Sequence, residues 1–294
     1  MKVLITGAHG QVGHELLRHA PADFEVHGLG SAELDIADAA QVQAAVEHLR
    51  PQLIINAAAY TAVDKAESEA ERAYAVNRDG VTHLARAAAE LGIPVLHIST
   101  DYVFAGDAEQ PYRETDATAP SGVYGASKLA GEQALSELCP QHLILRTSWV
   151  FGAHGNNFVK TMLRLGRERD TLGVVADQRG GPTPAAAIAD ALWQLATRYR
   201  EQGALHWGIF HFSGTPACTW HAFAVEIFRQ AAELGLLERE PQVNAISSAA
   251  YPTPAKRPAW SVLDGERLRQ AHGIGAPDWR LGLREVLLEL AERY

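Results

Sequence analysis

A tyrosine and a lysine four residues apart, Tyr124 and Lys128 in the run Tyr-Gly-Ala-Ser-Lys, carry the clearest chemical signal in the chain. On a helix that spacing sets both side chains on one face. An ammonium there can stabilise a phenolate and bring a weak acid into the range of a working proton donor. The same spacing occurs on ordinary exposed helices, so the pair gains meaning from what accompanies it. Upstream, Lys2-Val-Leu-Ile-Thr-Gly7-Ala-His-Gly10-Gln-Val-Gly13 reads as a short apolar strand, a glycine turn and a helix beginning near Gln11, where a dinucleotide pyrophosphate can bind. The spacing is Gly-x-x-Gly-x-x-Gly: Gly7 suits the tight turn, Gly10 the close backbone approach to phosphate, and Gly13 helix-to-strand packing. A plain strand-to-helix turn remains the alternative for the glycines alone. Together the two signals point to a reductase.

The elements that must position these groups follow from periodicity. Candidate strands are Val3–Thr6, Glu25–Leu29, Leu53–Ala57, Val95–Ser99 and Leu143–Arg146. Helical stretches alternate with them near Gln11–His19, Ala39–Leu49, Glu69–Leu91 and Tyr124–Leu138, the third stopped by Gly92 and Pro94. Alternating short strands and helices build a parallel sheet covered on both faces. The expected fold is therefore α/β, a doubly wound parallel sheet of the Rossmann kind. After Trp149 the regularity changes: a loop, a helix over Phe158–Arg169, the turn Gly180-Gly-Pro-Thr-Pro184 and a helix to about Arg200. There follow a strand at Ile209–Ser213, a helix over Trp220–Leu234, a proline-rich stretch from Tyr251 to Pro258 and a last helix over Leu283–Arg293. This reads as a dinucleotide-binding domain over 1–150, rejoined by part of 176–213, and a smaller α/β substrate lobe over most of 151–294.

Ligands of open α/β sheets bind beyond the carboxyl ends of the strands. Behind the third strand lie Ala57, Ala58, Ala59, Tyr60 and Thr61, a stretch whose small residues would let backbone lie against an adenosine or nicotinamide ribose or would simply pack helix onto sheet. Behind the fourth lie Ser99, Thr100, Asp101 and Tyr102. Thr100 could hydrogen-bond a substrate carbonyl or merely cap backbone groups.

The bulk composition bounds the rest. A chain of 294 residues, 47% hydrophobic, can bury a full core. The net charge of −9 argues against a nucleic-acid surface. Two cysteines, Cys139 and Cys218, build no disulfide framework or zinc site and suit a reducing cytoplasm. No segment approaches a membrane span or a signal peptide, so a cytoplasmic protein without membrane partners is expected. The 13 histidines contain no His-Glu-x-x-His pair.

With these pieces in order, the sequence resembles the extended short-chain dehydrogenase/reductase superfamily and, within it, the dTDP-4-dehydrorhamnose reductase family. The resemblance covers nearly the whole chain. It runs through Gly7-x-x-Gly10-Gln-x-Gly13-x-Glu15, the stretch from Asn56 to Glu67, Ser99-Thr-Asp-Tyr-Val-Phe104, Tyr124-Gly-x-x-Lys128-x-x-Gly-Glu132, Arg146-Thr-Ser-Trp149-Val, Gly155-Asn-Asn-Phe158, and Ala250 to Ala255 with Arg257-Pro. It implies reduction of the C4 ketone of dTDP-4-dehydro-L-rhamnose to dTDP-L-rhamnose, a step toward surface polysaccharide such as lipopolysaccharide. Tyr124 would protonate the forming alkoxide, Lys128 would lower the tyrosine pKa and hold the nicotinamide ribose, and Thr100 would orient the carbonyl. The resemblance further implies Gly10, Gln11 and Val12 at the pyrophosphate, Asp35 and Ile36 near the adenine, and Ala59, Tyr60 and Thr61 on the nicotinamide side. For substrate it implies Thr100, Asp101 and Trp149. The loop cations Lys256, Arg257 and Arg179 are added as candidates for the substrate diphosphate, or as ordinary solvated charge.

Two departures stand out. Some relatives hold magnesium between subunits of a homodimer; Glu15 and Asp190 fit that pattern, but Ala186 stands where another carboxylate is expected, so no essential metal is expected and a homodimer is left open. The end of the second strand, Gly28-Leu-Gly-Ser-Ala-Glu33, offers neither a clear carboxylate nor an arginine cluster, so NADPH or NADH is expected, with NADPH slightly favoured. Competing readings are a nucleotide-sugar epimerase, a 4,6-dehydratase, which would carry Glu where Tyr102 stands, and a non-catalytic nucleotide-binding regulatory subunit.

Overall fold

The computed structural model describes residues 1–292. Six strands form the main sheet: β1 (Lys2–Thr6), β2 (Glu25–Leu29), β3 (Leu53–Asn56), β4 (Val95–Thr100), β5 (His142–Thr147) and β6 (Gly208–His211). Their order is β6-β5-β4-β3-β1-β2, and every neighbouring pair is parallel. The apolar runs are continuous because both faces are covered. Alternate residues face opposite sides: Val3, Ile5, Leu53, Ile55, Leu143 and Leu145 meet the helices Gln11–Arg18 and Ala185–Gln202. Leu4, Ile54 and Ile144 meet Ala39–Leu49, Val81–Leu91 and Val123–Leu138. The chain passes from β1 outward to β2 and returns to β3 on the other side of β1. That reversal opens a crevice at the carboxyl ends of β1 and β3, where ligands of such sheets bind.

A separate apolar cluster gathers Phe151, Met162, Phe223, Phe228, Trp279 and Leu287 from the helices Phe158–Glu168, Trp220–Glu233 and Trp279–Ala291. A parallel pair of strands, Thr171–Val175 and Gln242–Ile246, lies beside them. Sequence periodicity gives no sign of this pair, since Gln242-Val-Asn-Ala-Ile is mostly polar and partly exposed. The last helix starts four residues before its expected Leu283, because Asp278 caps it by accepting from Arg280 N. Its expected end at Arg293 lies outside the described residues.

The helix expected without interruption over Glu69–Leu91 is broken. A short helix Ala70–Tyr74 passes into a π-turn over Ala75–Gly80 before Val81–Leu91 resumes. The wider turn carries the buried Asn77 side chain toward the loop after β3, and at functional sites such turns are common. Among the described residues no helix is long and apolar enough to cross a membrane.

Candidate active site

The glycine turn forms a cradle that only glycine permits. Gly7 has φ +68°, and a Cβ there would lie 2.5 Å from the Ala58 backbone. A Cβ on Gly13 would lie 2.1 Å from Gly7 O, so helix Gln11–Arg18 approaches the turn closely. Gly10 precedes this helix without a side-chain cap, and the first turn holds no acid. Its leading N–H groups are therefore open to an anion. Beside the turn lies a cavity of about 390 Å³. It gathers Gly7, Gly10, Asp35, Ile36, Ala59 and Tyr60 on its walls, residues expected to meet a dinucleotide. Thr61 is exposed and does not line it. The cavity also recruits His9, Ser31 and Arg72, which carry no signal in the sequence. Arg72 Nη2 lies 3.3 Å from Asp35 Oδ2. A second cavity, about 500 Å³, between helices Gln11–Arg18 and Ala185–Gln202 is lined by His19, Asp190 and Trp193 and shares no residue with the first.

Tyr124 and Lys128 both lie on helix Val123–Leu138. Its amino end is held by Glu67, whose carboxylate accepts from Val123 N at 2.9 Å and complements the helix dipole. Asn77 ties the same helix to the cavity loop. Its Oδ1 accepts from Tyr60 N at 2.8 Å, and its Nδ2 donates to Tyr60 O and to Ser127 Oγ. Close approach is possible because residue 131 is glycine: a Cβ there would lie 2.0 Å from Asn77 O.

Thr100, at the end of β4, donates from Oγ1 to Asp101 Oδ1 at 3.0 Å, and its hydroxyl bears electrostatically on the Tyr124 phenol. Burial, with the Asp101 carboxylate and Tyr102 adding to it, raises the Tyr124 pKa above its ordinary value against the opposing influence of the Thr100 hydroxyl. Tyr124 is thus a phenol, the form that can give up a proton. Asp101 is 3% exposed, and burial pushes its carboxyl up to about 7.

Lys128 stands differently from the expectation that it would lower the tyrosine pKa directly. Nζ donates to Ile98 O at 2.7 Å and lies 3.4 Å from His97 Nε2. Its side chain is buried, and desolvation lowers its pKa to about 8 despite the opposing Glu132 carboxylate. Glu132 is itself held by Arg146 through three hydrogen bonds of 3.0, 3.2 and 2.7 Å.

Arg257 is not a free loop cation. Nη2 donates to Asp64 Oδ2 at 2.6 Å and Nη1 to Tyr102 Oη at 2.9 Å, which straps the segment after Pro254 across to the loop behind β3. The Tyr102 ring meets Tyr124 edge-on, centroids 5.4 Å apart. Lys256 and Arg179 are exposed. Trp149 carries a left-handed backbone, φ +48°, and stacks on Trp220 at 3.5 Å. A strained non-glycine residue held by stacking is typical of a ligand clamp.

With this geometry in view, comparison with known proteins is decisive. The sequence model described as the RmlD substrate binding domain matches residues 1–292. A dTDP-4-dehydrorhamnose reductase of Aggregatibacter actinomycetemcomitans is 49% identical over 97% of this chain and 98% of its own length. The chain belongs to the dTDP-4-dehydrorhamnose reductase family. The reductase of that name from Escherichia coli K12 is 45% identical over 99% of this chain and 98% of its own. Among solved structures, the dTDP-4-dehydrorhamnose reductase of Bacillus anthracis in complex with NADP superposes with a TM-score of 0.91, 39% identity, and coverage of 98% of this chain and 99% of that one. A UDP-glucose 4-epimerase of Thermus thermophilus, 22% identical with TM-score 0.78 over 99% of both chains, shares the fold.

Membership in the dTDP-4-dehydrorhamnose reductase family makes the protein an NAD(P)H-dependent oxidoreductase, and its residues fit a dinucleotide through the Gly7 cradle and the uncapped helix. The two carboxylates considered as magnesium ligands, Glu15 and Asp190, both face His19. Glu15 is 4% exposed with Oε2 3.4 Å from His19 Nε2, and Asp190 Oδ1 lies 3.2 Å from His19 Nδ1. Among the described residues no group of three or more His, Cys, Asp or Glu could hold a metal ion.

Proposed function

We propose that the protein reduces the C4 ketone of dTDP-4-dehydro-L-rhamnose to dTDP-L-rhamnose, with Tyr124 as proton donor. The observation that carries this reading is the Thr100 hydroxyl bearing on the Tyr124 phenol beside a dinucleotide cradle, in a chain related over its full length to reductases of that name. When bound, the reduced nicotinamide supplies the hydride. Gln11 and Val12 receive the pyrophosphate with their N–H groups, and Ala59 and Tyr60 flank the nicotinamide half. The Thr100 hydroxyl turns its proton from Asp101 to the substrate carbonyl oxygen and aligns that carbonyl with the Tyr124 phenol. Tyr124 then delivers its proton to the C4 oxygen as negative charge develops there. Lys128 holds the ribose side of the site.

The second cluster, within residues 151–294, serves as the substrate lobe, with Trp149 covering the sugar nucleotide. Arg257 meets the diphosphate by exchanging its bond to Asp64 for one to phosphate oxygens. Both cysteines are buried and free, which suits a cytoplasmic enzyme. The test is to supply cofactor deuterated on its transferable position and read the product by NMR. Deuterium at C4 of a rhamnosyl product supports the reaction; an unlabelled sugar, or an epimer of the starting compound, overturns it.

A further inference from the structure

The lysine is fastened to a buried polar chain that catalysis as derived above does not use. Thr6 on β1, Asn56 on β3 and His97 on β4 are each 0% exposed, and they join end to end. Thr6 Oγ1 donates to Asn56 Oδ1 at 2.6 Å, and Asn56 Nδ2 lies 2.9 Å from His97 Nδ1. The orientation of the Asn56 amide is fixed by a third contact. Ala58 N, which can only donate, meets Asn56 Oδ1 at 3.0 Å, so the amide nitrogen must face the histidine. His97 Nδ1 then has to accept, and in a neutral imidazole the proton is on Nε2. That Nε2–H is directed at Lys128 Nζ, 3.4 Å away.

We propose that His97 is a positioning residue for Lys128, locked by Thr6 and Asn56 in the tautomer whose Nε2–H faces the lysine Nζ. The inference rests on the reductase reading only for its catalytic consequence. Two donors meet if Lys128 is an ammonium, whereas a neutral amine accepts the imidazole proton and still donates to Ile98 O. The arrangement therefore favours the amine and keeps the lysine able to exchange a proton near neutral pH. The direction agrees with the lowered pKa of Lys128 and with a His97 held well below its ordinary value by burial and by the lysine.

The other titratable and charged groups around the pair point the same way or are neutralised. Glu132, one turn along the same helix, favours the ammonium but is bound to Arg146 from β5. Tyr124, on the preceding turn, is a phenol, and Asp101 lies beyond Thr100 and bears on Tyr124. Without the histidine contact, Lys128 would keep its proton to higher pH.

The experiment reads the lysine directly. In protein labelled at the lysine Cε, with the Lys128 signal assigned by its loss in Lys128→Met, the titration midpoint is measured for the parent and for His97→Gln. The glutamine amide is free to turn its oxygen to the ammonium, so the midpoint should rise by about one pH unit or more. A parallel nitrogen spectrum of histidine-labelled parent protein should show His97 neutral with the proton on Nε2. An unmoved midpoint, or a His97 carrying its proton on Nδ1, overturns the proposal, and the second result needs no variant to fold. The pH dependence of turnover separates the two readings: a raised midpoint without a matching shift in the basic limb supports the His97 contact and counts against a catalytic role for Lys128.

Discussion

Replacing Asp101 with asparagine should make the protein's stability less sensitive to alkali, and the size follows from where the carboxylate sits. Asp101 is 3% exposed, and among the described residues its Oδ2 has no hydrogen-bond partner. Burial raises its pKa from 3.8 to about 7, against the opposing bond from Thr100. Below the unfolded value both states hold the proton. Between the two values the unfolded chain releases it and the folded protein keeps it, so stability falls as pH rises until the folded group also ionises. At roughly 1.4 kcal/mol per unit, the whole interval corresponds to about 4 kcal/mol. Asparagine keeps the acceptor for Thr100 Oγ1 and has no proton to lose.

Urea unfolding of both proteins, followed by circular dichroism, measures the effect. Between about pH 5 and about pH 8 the parent should lose roughly 3 kcal/mol relative to Asp101→Asn. The loss should be complete once pH exceeds the folded value near 7. A stability difference that stays constant within about 0.5 kcal/mol across that range would refute the reasoning, because it would mean that Asp101 ionises in the folded protein as readily as in the unfolded chain.

Glu132→Ala leaves Arg146 buried without its bidentate partner; calorimetry should report a loss of about 3–5 kcal/mol. Arg257→Met removes the cation from Asp64 and Tyr102. With the diphosphate as its ligand, KM for the sugar nucleotide should rise roughly tenfold or more, while NADPH titrated by fluorescence binds as before; an unchanged KM removes Arg257 from the substrate site. Trp220→Leu deletes the ring on which Trp149 stacks, and isothermal titration should show weaker sugar-nucleotide binding with cofactor affinity retained.

The parallel sheet is legible because both its faces are buried, which leaves runs such as Leu53-Ile-Ile and Val95-Leu free of the polar interruptions that blur strand boundaries. Gly7 and Gly13 are legible for a related reason: backbone lies where a Cβ would be, and no other residue type fits. The strand Gln242–Ile246 is not legible, since its pairing with Thr171–Val175 sets its structure from a distance. The π-turn at Ala75–Gly80 escapes because helical periodicity continues through it. Within the site, Tyr124, Lys128 and Thr100 can be named from spacing, but their partners cannot. His97, Asn56 and Asn77 come from separate strands and a turn, and each looks like a core or helix residue until the fold places its polar atoms together. Arg257 reads in the sequence as a cation on a loop, and only the folded chain reveals its bond to Asp64.

The most direct test is the rate of nicotinamide absorbance loss when purified protein meets dTDP-4-dehydro-L-rhamnose, measured for the parent and for Tyr124→Phe under saturating NADPH. Tyr124 as donor predicts substrate-dependent oxidation by the parent and a turnover lower by roughly 10²–10⁴ in the variant, with cofactor binding retained. Equal rates for the two proteins, or no oxidation by the folded parent with NADPH or NADH, would contradict it.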